Sequence, residues 1–356
     1  MSTAPDMGAG AAPRRFARGL CLGKFLPVHA GHLHLVRFAL RWVDTLDVVV
    51  ESVAGEAIPH ARRVEWMREL AYGARVHALA GHHPQAPHEH PDFWRYWSEV
   101  LVDALGAAPD AVFASEDYGA PLAAALGATF VPVDPLREGV DVSGTRVRAD
   151  PLAYFDRLPP PVRAWYSKRV AIVGPESTGK STLASTLGAR CDAVVVPEYA
   201  RTYLEARQRS GLRDLSPDDM EAITLGQLAS DASLARTSRG VLVSDTDLIT
   251  TQVWSERLFG TSADWLRAEA AAQRFDLTLL LAPDVPWVRD PVRYLPGEGR
   301  DFFDRLERAL RAAGRDFTVL SGSFAARTEA ASAAVARLTR GATDAAPVER
   351  DGQATP

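Results

Sequence analysis

With 356 residues, 47% hydrophobic and 24% charged, the chain is long enough for about two domains with ample cores and too apolar for a disordered protein. A formal charge of −5 gives no support to nucleic-acid binding, and two distant cysteines, Cys21 and Cys191, give neither a disulfide framework nor zinc spacing. No apolar run approaches a membrane span, and Met1 to Arg18 lacks the apolar stretch of a signal peptide, so a cytoplasmic protein is expected.

Residues 1–18, rich in Ala, Gly, Pro and Arg, read as a disordered arm before a first domain at 19–158. A short apolar strand, Leu20 to Leu22, runs into Gly23-Lys24-Phe25-Leu26-Pro27-Val28-His29-Ala30-Gly31-His32, and a helix follows with apolar Leu33, Val36, Phe38, Leu40 and Trp42. Strand, glycine turn and helix start make anion-binding geometry. His29 and His32, three positions apart beside Lys24, can both donate to phosphate oxygens. An isolated His-x-x-His would more simply be a turn histidine and a capping one.

Strands are then expected at Asp47 to Val53, Arg75 to Leu79, Ala111 to Ala114 and Thr129 to Val133, with helices at Arg62 to Tyr72 and Phe93 to Leu105. This alternation predicts a doubly wound parallel sheet, with its ligand crevice at the strands' carboxyl ends, where His29, Ser52, Glu116 and Asp134 emerge. Ser115 precedes Glu116 at the same strand end. The stretch from Ala80 to Pro91 holds His82, His83, His88 and His90, but no spacing fits a metal site, and a solvated, mobile loop is expected. Before a further helix, Ser143 and Thr145 are candidates to cap it and bind phosphate, with Arg146 as a charged clamp.

Pro159-Pro160-Pro161 opens a linker at 159–168, and a second α/β domain is expected at 169–340, ahead of a disordered tail at 341–356. Its first strand, Val170 to Val173, enters Gly174-Pro175-Glu176-Ser177-Thr178-Gly179-Lys180-Ser181, and Thr182 continues into an amphipathic helix. G-x-x-x-x-G-K-S between strand and helix is the phosphate-cradling loop: amides face the anion, Lys180 reaches the β- and γ-phosphates, and the Ser181 hydroxyl can ligate Mg²⁺. Of 40 basic residues only Lys24, Lys168 and Lys180 are lysines, and two of these three lie in the phosphate-like motifs.

Farther on, a strand from Ala193 to Val196 delivers Glu198, Tyr199 and Arg201, and Glu198 is the candidate to orient or deprotonate an acceptor hydroxyl. The apolar strand Gly240 to Ser244 ends at Asp245-Thr246-Asp247, where Asp245 is the candidate second Mg²⁺ ligand. After a strand at Phe275 to Leu281, Arg289 and Arg293 sit in a proline-punctuated segment that reads either as a lid closing on the transferred group or as an ordinary surface loop. A last strand, Asp316 to Leu320, and an Ala-rich helix close the domain.

Taken together, these motifs resemble the bifunctional nicotinamide-nucleotide adenylyltransferase/ribosylnicotinamide kinase family (NadR), from Leu20 to about Arg340. The run Gly23 to His32 resembles that family's signature G-K-F-x-P-x-H-x-G-H, and Val142 to Arg146 resembles its second signature. Arg63-Val64-Glu65-Trp66-Met67, the stretch Trp94 to Glu99, Glu198-Tyr199-Ala200-Arg201, Asp245-Thr246-Asp247, Thr250-Thr251-Gln252 and the segment through Trp287 also resemble family stretches. Two departures stand out: Arg146 where lysine is more frequent, and Gly144 where alanine often stands. Only about 19 residues precede the first strand, so the helix-turn-helix repressor domain of some members is not expected.

The resemblance implies a Rossmann-like nucleotidyltransferase followed by a P-loop kinase. The kinase would phosphorylate nicotinamide riboside with ATP and Mg²⁺, and the first domain would join nicotinamide mononucleotide (NMN) to AMP, giving NAD and pyrophosphate. It further implies Gly23, Lys24, Phe25, His29, Gly31, His32, Ser52, Arg63, Trp97, Ser115, Glu116, Ser143, Thr145 and Arg146 at the first nucleotide site, with Trp97 stacking on a ring. Gly174, Glu176 to Thr182, Arg289 and Arg293 would serve the second, and Glu198, Tyr199, Arg201, Asp245 and Trp287 the riboside. Two other readings stay open: the same modules acting on another nucleoside, and an NAD/ATP-sensing regulator with little turnover. A third is a P-loop NTPase used as an assembly module. The partners expected are small molecules, with no nucleic acid and no membrane span, and the sequence leaves monomer or homo-oligomer open.

Overall fold

A computed structural model describes residues 14–52, 55–212, 214–286, 288 and 297–340. The calls on Trp287, Arg289 and Arg293, on residues 1–13 of the arm and on the tail at 341–356 lie outside them. The chain divides into two compact units, Met1–Val162 and Arg163–Pro356, each with one five-stranded parallel sheet.

In the first unit the strands are β1 (Phe16–Gly23), β2 (Val43–Glu51), β3 (Arg75–Leu79), β4 (Ala111–Ala114) and β5 (Thr129–Pro132). Their order is β3-β2-β1-β4-β5, all parallel, so the chain reverses its direction of travel across the sheet between β1 and β4. A doubly wound sheet opens its ligand crevice at that reversal, outside the carboxyl ends. The helix Phe93–Leu105 packs there because Phe93, Trp97, Leu101 and Leu105 recur every four residues and form one buried stripe over Leu20, Val49 and Val112. Gly106, left-handed at φ 75°, stops it.

β1 starts earlier than the sequence suggests. Phe16 stacks on Trp42 with ring centroids 6.4 Å apart, and Arg18 donates to the fully buried Asp47 at 2.5 Å and to Leu105 O at 2.7 Å. Residues 16–18 are therefore strand rather than arm. The His-rich stretch is a loop, largely exposed but tied down at His83 and Pro84. His83 Nδ1 lies 2.8 Å from the Tyr96 hydroxyl, the Trp97 indole donates to Pro84 O at 3.0 Å, and a 3-10 turn forms at Pro87–Glu89. Among the described residues no group of three or more His, Cys, Asp or Glu could hold a metal.

The second unit contains β6 (Lys168–Val173), β7 (Val194–Val196), β8 (Val241–Asp245), β9 (Leu277–Leu281) and β10 (Thr318–Leu320), ordered β10-β9-β6-β8-β7 and again all parallel. β6 is central and buried on both faces. Val170 and Ile172 meet Leu183, Leu187, Ala331 and Val335 on one side, while Ala171 and Val173 meet Leu248, Val253, Phe302 and Leu306 on the other. Two-residue alternation between two apolar layers explains why β6 reads as a continuous apolar run. The stretch 159–168, read as a linker, is helical over Pro160–Tyr166. Prolines in a first turn cost the helix nothing, because no intrahelical bond is lost there. No helix among the described residues is long and apolar enough to cross a membrane.

Candidate functional site

Each sheet carries a candidate site at its carboxyl edge. In the first unit a cavity of about 750 Å³ opens beyond β1, lined by Gly23, Lys24, Phe25, His29, His32, Trp97, Glu116, Ser143 and Thr145 among the expected residues. His29 and His32 stack face to face at the start of the helix Ala30–Ala39, with centroids 3.7 Å apart and planes 19° apart. The His29 amide points to His32 Nδ1 at 3.4 Å, which leaves Nε2 as the protonated nitrogen of a neutral His32. Burial, aided by the nearby Arg137 charge, pulls the His29 pKa down to about 4, and burial with His29 and Arg137 holds His32 well below its usual value. The cradle therefore presents two neutral imidazoles, one of which has a buried Nδ1 with no partner.

Five expected residues sit elsewhere. Ser52 exchanges hydrogen bonds with Gly81 at 2.9 and 3.0 Å, and Ser115 does not reach the wall. Gly31 lies beneath His29, 3.1 Å from the ring at the point where a Cβ would stand. Arg63 is fully buried, donating to Glu51 O at 2.8 Å, to Lys24 O and to the Glu56 carboxylate, so it braces the signature loop from behind. Arg146 turns outward to Asp141 and to the Tyr154 hydroxyl at 2.7 Å.

The arginines on the wall are instead Arg148, which donates to Leu26 O at 2.5 Å, and Arg137, which donates to Val142 O at 2.7 Å and Glu116 at 3.2 Å. Two residues apart on a helix point to opposite faces, so only one of Arg146 and Arg148 can face the cavity. Asp141, an acid placed to draw Arg146 away, was the available sequence signal. Gly144 lets this helix start press on the signature loop, since a Cβ there would stand 2.5 Å from Leu26 O. Glu51, Gln85, Trp94 and Tyr118 also line the cavity without having been expected. Burial raises the pKa of the Glu51 carboxyl.

In the second unit Gly174 to Ser181 forms the turn between β6 and the helix Lys180–Arg190. Gly179, at φ 89°, has the Phe324 ring 2.4 Å from where a Cβ would stand, so only glycine fits. Thr178 is buried and its hydroxyl closes the turn on Pro175 O at 2.8 Å, while Lys180 Nζ lies 3.0 Å from Gly174 O and 3.1 Å from Pro175 O. A pocket of about 170 Å³ adjoins this turn. Its polar lining includes Glu176, Ser177, Lys180, Ser181, Glu198 and Arg201, and its apolar lining includes Leu204, Met220, Ile223, Trp254 and Leu258. Glu198 has its pKa raised by burial, against the opposing pull of Lys180.

Asp245 ends β8 close to Ser181, whose side chain favours the charged form of its carboxyl. Burial raises its pKa, and its Oδ1 is buried without a partner. A hydroxyl and a carboxylate with an unspent oxygen fit the protein's share of a Mg²⁺ shell that substrate oxygens and water complete. Tyr199 lies off the pocket wall; its amide donates to the buried Gln227 at 2.8 Å. Thr246, between Asp245 and Asp247, holds φ at 125°, a strained value for a β-branched residue, and lines the pocket with Gln227, Thr250 and Thr251. None of these four had been named as a site residue, although Thr246, Thr250 and Thr251 lie in stretches that resemble the family. Val288 donates its amide to Ser177 Oγ at 2.7 Å.

Residues 169–327 match the AAA domain family. The chain is 29% identical over 303 residues to the trifunctional NAD biosynthesis/regulator protein NadR of Salmonella typhimurium, covering 80% of this chain and 73% of that protein. It is 29% identical over 296 residues to the protein of that name from Escherichia coli, covering 78% and 72%. Among solved structures, NadR in complex with NR superposes with a TM-score of 0.75 at 22% identity, over 93% of this chain and 98% of that one. NadR in complex with NAD and AMP-PNP gives 0.72 at 23% identity, over 96% and 99%.

Proposed function

We propose, the chain being a homologue of the NadR proteins of NAD biosynthesis, that its second unit phosphorylates nicotinamide riboside and its first adenylylates the resulting mononucleotide. The observation that carries the reading is the convergence of Lys180, Ser181, Glu198 and Arg201 on one pocket that Leu204, Met220, Ile223, Trp254 and Leu258 also line. That arrangement suits a phosphate donor at the turn and a nucleoside whose flat base meets the apolar lining.

In the second unit the amides of the Gly174–Ser181 turn and Lys180 would hold the donor's phosphates. Ser181 and Asp245 would hold Mg²⁺, which when bound neutralises charge on the phosphoryl oxygens. Glu198 would align the 5′-hydroxyl and accept its proton as that oxygen bonds to the γ-phosphorus and the bond to the ADP oxygen breaks. A carboxyl whose pKa is already raised is better matched to that task than a solvated one.

In the first unit the mononucleotide's phosphate oxygen would bond to the α-phosphorus of ATP, with pyrophosphate leaving. No covalent enzyme intermediate is required, only alignment and charge neutralisation. Lys24, His29 and His32 would supply that neutralisation, with Arg137 and Arg148 on the cavity wall in the place foreseen for Arg146. Trp97 is buried in the core and held through its indole on Pro84, so the partly buried Trp94 is the ring surface that a base would meet.

Incubating the protein with nicotinamide riboside, Mg²⁺ and ATP and resolving the products tests this reading. Appearance of NMN and then NAD is expected. Nucleotide binding without either product would identify a sensor. Phosphorylation of another nucleoside in preference to this one would keep the chemistry and change the substrate.

A further inference from the structure

The phosphate-binding turn of the second unit is held from behind by a residue near the far end of the chain. Arg327, in the helix Phe324–Arg340, is 1% exposed. Its guanidinium donates to Thr178 O at 2.8 Å, to Gly322 O at 3.0 Å, to Ala282 O at 3.0 Å and to the Asp284 carboxylate. Asp284 in turn accepts from the Gly322 amide at 2.6 Å. One planar cation thus joins the turn, the end of β9 and the turn after β10.

The Thr178 carbonyl and the Gly179 amide belong to one peptide group. A trans peptide is planar, so its C=O and N–H point in opposite directions. With the carbonyl drawn back to Arg327, the Gly179 amide is turned the other way, and Gly179 lines the pocket. Hydrogen bonding at the carbonyl also polarises the amide, strengthening it as a donor. The Phe324 ring packed on Gly179 comes from the same helix start. The first unit repeats the device: buried Arg63 takes Lys24 O, the carbonyl of the peptide whose amide belongs to Phe25.

We propose that Arg327 is a positioning residue for the phosphate donor of the second unit, acting through the Thr178–Gly179 peptide to aim the Gly179 amide at the anion. The assignment rests on that unit's reading as a phosphoryl-transfer site. Lysine at 327 keeps the charge but not the planar fork that reaches four acceptors.

Equilibrium dialysis of the full chain against AMP-PNP tests it without reference to the acceptor. The site that Lys180→Ala removes should bind about tenfold or more weakly in Arg327→Lys, while the first unit's site keeps its affinity and a cooperative melting transition of the second unit serves as the folding control. Asp284→Asn, which loosens the same guanidinium, should weaken the same site by a smaller factor and decides the matter if Arg327→Lys does not fold. Unchanged AMP-PNP affinity in the folded variants, with only the melting temperature lowered, overturns the proposal and leaves Arg327 a structural clamp. If Lys180→Ala removes no site, both the inference and the functional reading fall. If the affinity shift appears but the wild-type protein phosphorylates no riboside, only the functional reading falls.

Discussion

The stacked imidazoles of His29 and His32 favour the neutral form, because burial and Arg137 both oppose their charging. A depressed imidazole pKa stabilises the fold above about pH 6.5, and that stability is lost as pH falls toward about 4, since the unfolded chain binds the proton first. An arriving phosphate reverses the electrostatic sign and favours the imidazolium. Binding of AMP-PNP to the Lys180→Ala protein at about pH 6 should therefore take up protons. Calorimetry in buffers of different ionisation enthalpy measures this, and an enthalpy independent of the buffer, or one unaltered by His29→Asn, would contradict it.

Arg63 and Arg146 make opposite demands on the same experiment. Removing a buried charge from its partner costs on the order of 3–5 kcal/mol, whereas an exposed ion pair is worth about 1 kcal/mol or less. Arg63→Ala should accordingly unfold the first unit at markedly lower urea concentration, and Arg146→Ala should leave its midpoint nearly unchanged. Equal shifts would mean the burial assignments are wrong. Lys180 and Ser181 were legible in the sequence because their placement depends only on a local turn between a strand and a helix. The role of Arg63 was not, because its burial depends on Glu56 and on the carboxyl ends of β1 and β2, which only the folded sheet brings together.

At the scale of elements, those with strong local patterns were read correctly to the residue: β3, β4 and the helix Phe93–Leu105. Elements whose extent depends on partners were not. β1 gains Phe16 to Arg18 through Trp42 and Asp47, polar and aromatic contacts that carry no periodic signal. The His-rich stretch is the loop that its prolines suggest, but it is tied to the helix Phe93–Leu105 by Tyr96 and Trp97.

Gly144 tests how closely two elements must approach. A methyl group there would force the signature loop away from the helix Gly144–Ala149, because the atom it meets is the backbone oxygen of Leu26, which cannot swing aside. Gly144→Ala should lower kcat/KM for adenylylation by about tenfold, the scale of a 1–3 kcal/mol overpacking penalty, with riboside phosphorylation unaffected. A fully active Gly144→Ala enzyme would show that the loop has room to move. Likewise, Glu198→Gln should lower kcat for phosphorylation by about a hundredfold or more, with little change in the KM for ATP, since it removes the proton acceptor and leaves the turn intact. A raised KM for ATP with kcat preserved would instead place Glu198 among the donor-binding groups.

At the scale of the whole molecule, two parallel sheets with different strand orders each bring one strand-to-helix turn, the proposed phosphate cradle, to a carboxyl edge. The residues lining the first cavity all come from the first unit and those lining the second all come from the second. The doubly wound class of both sheets was visible in the alternation of strands and helices. The central position of β6, and hence the burial of its turn's support by Arg327, required the strand order that only the fold supplies.

The most direct test of two independent phosphate cradles is a paired product assay on Lys180→Ala and His32→Ala, supplying riboside or mononucleotide with ATP. Lys180→Ala should convert the mononucleotide to NAD and leave the riboside untouched. His32→Ala should turn riboside into mononucleotide and stop there. Loss of both conversions in either folded variant would contradict the account.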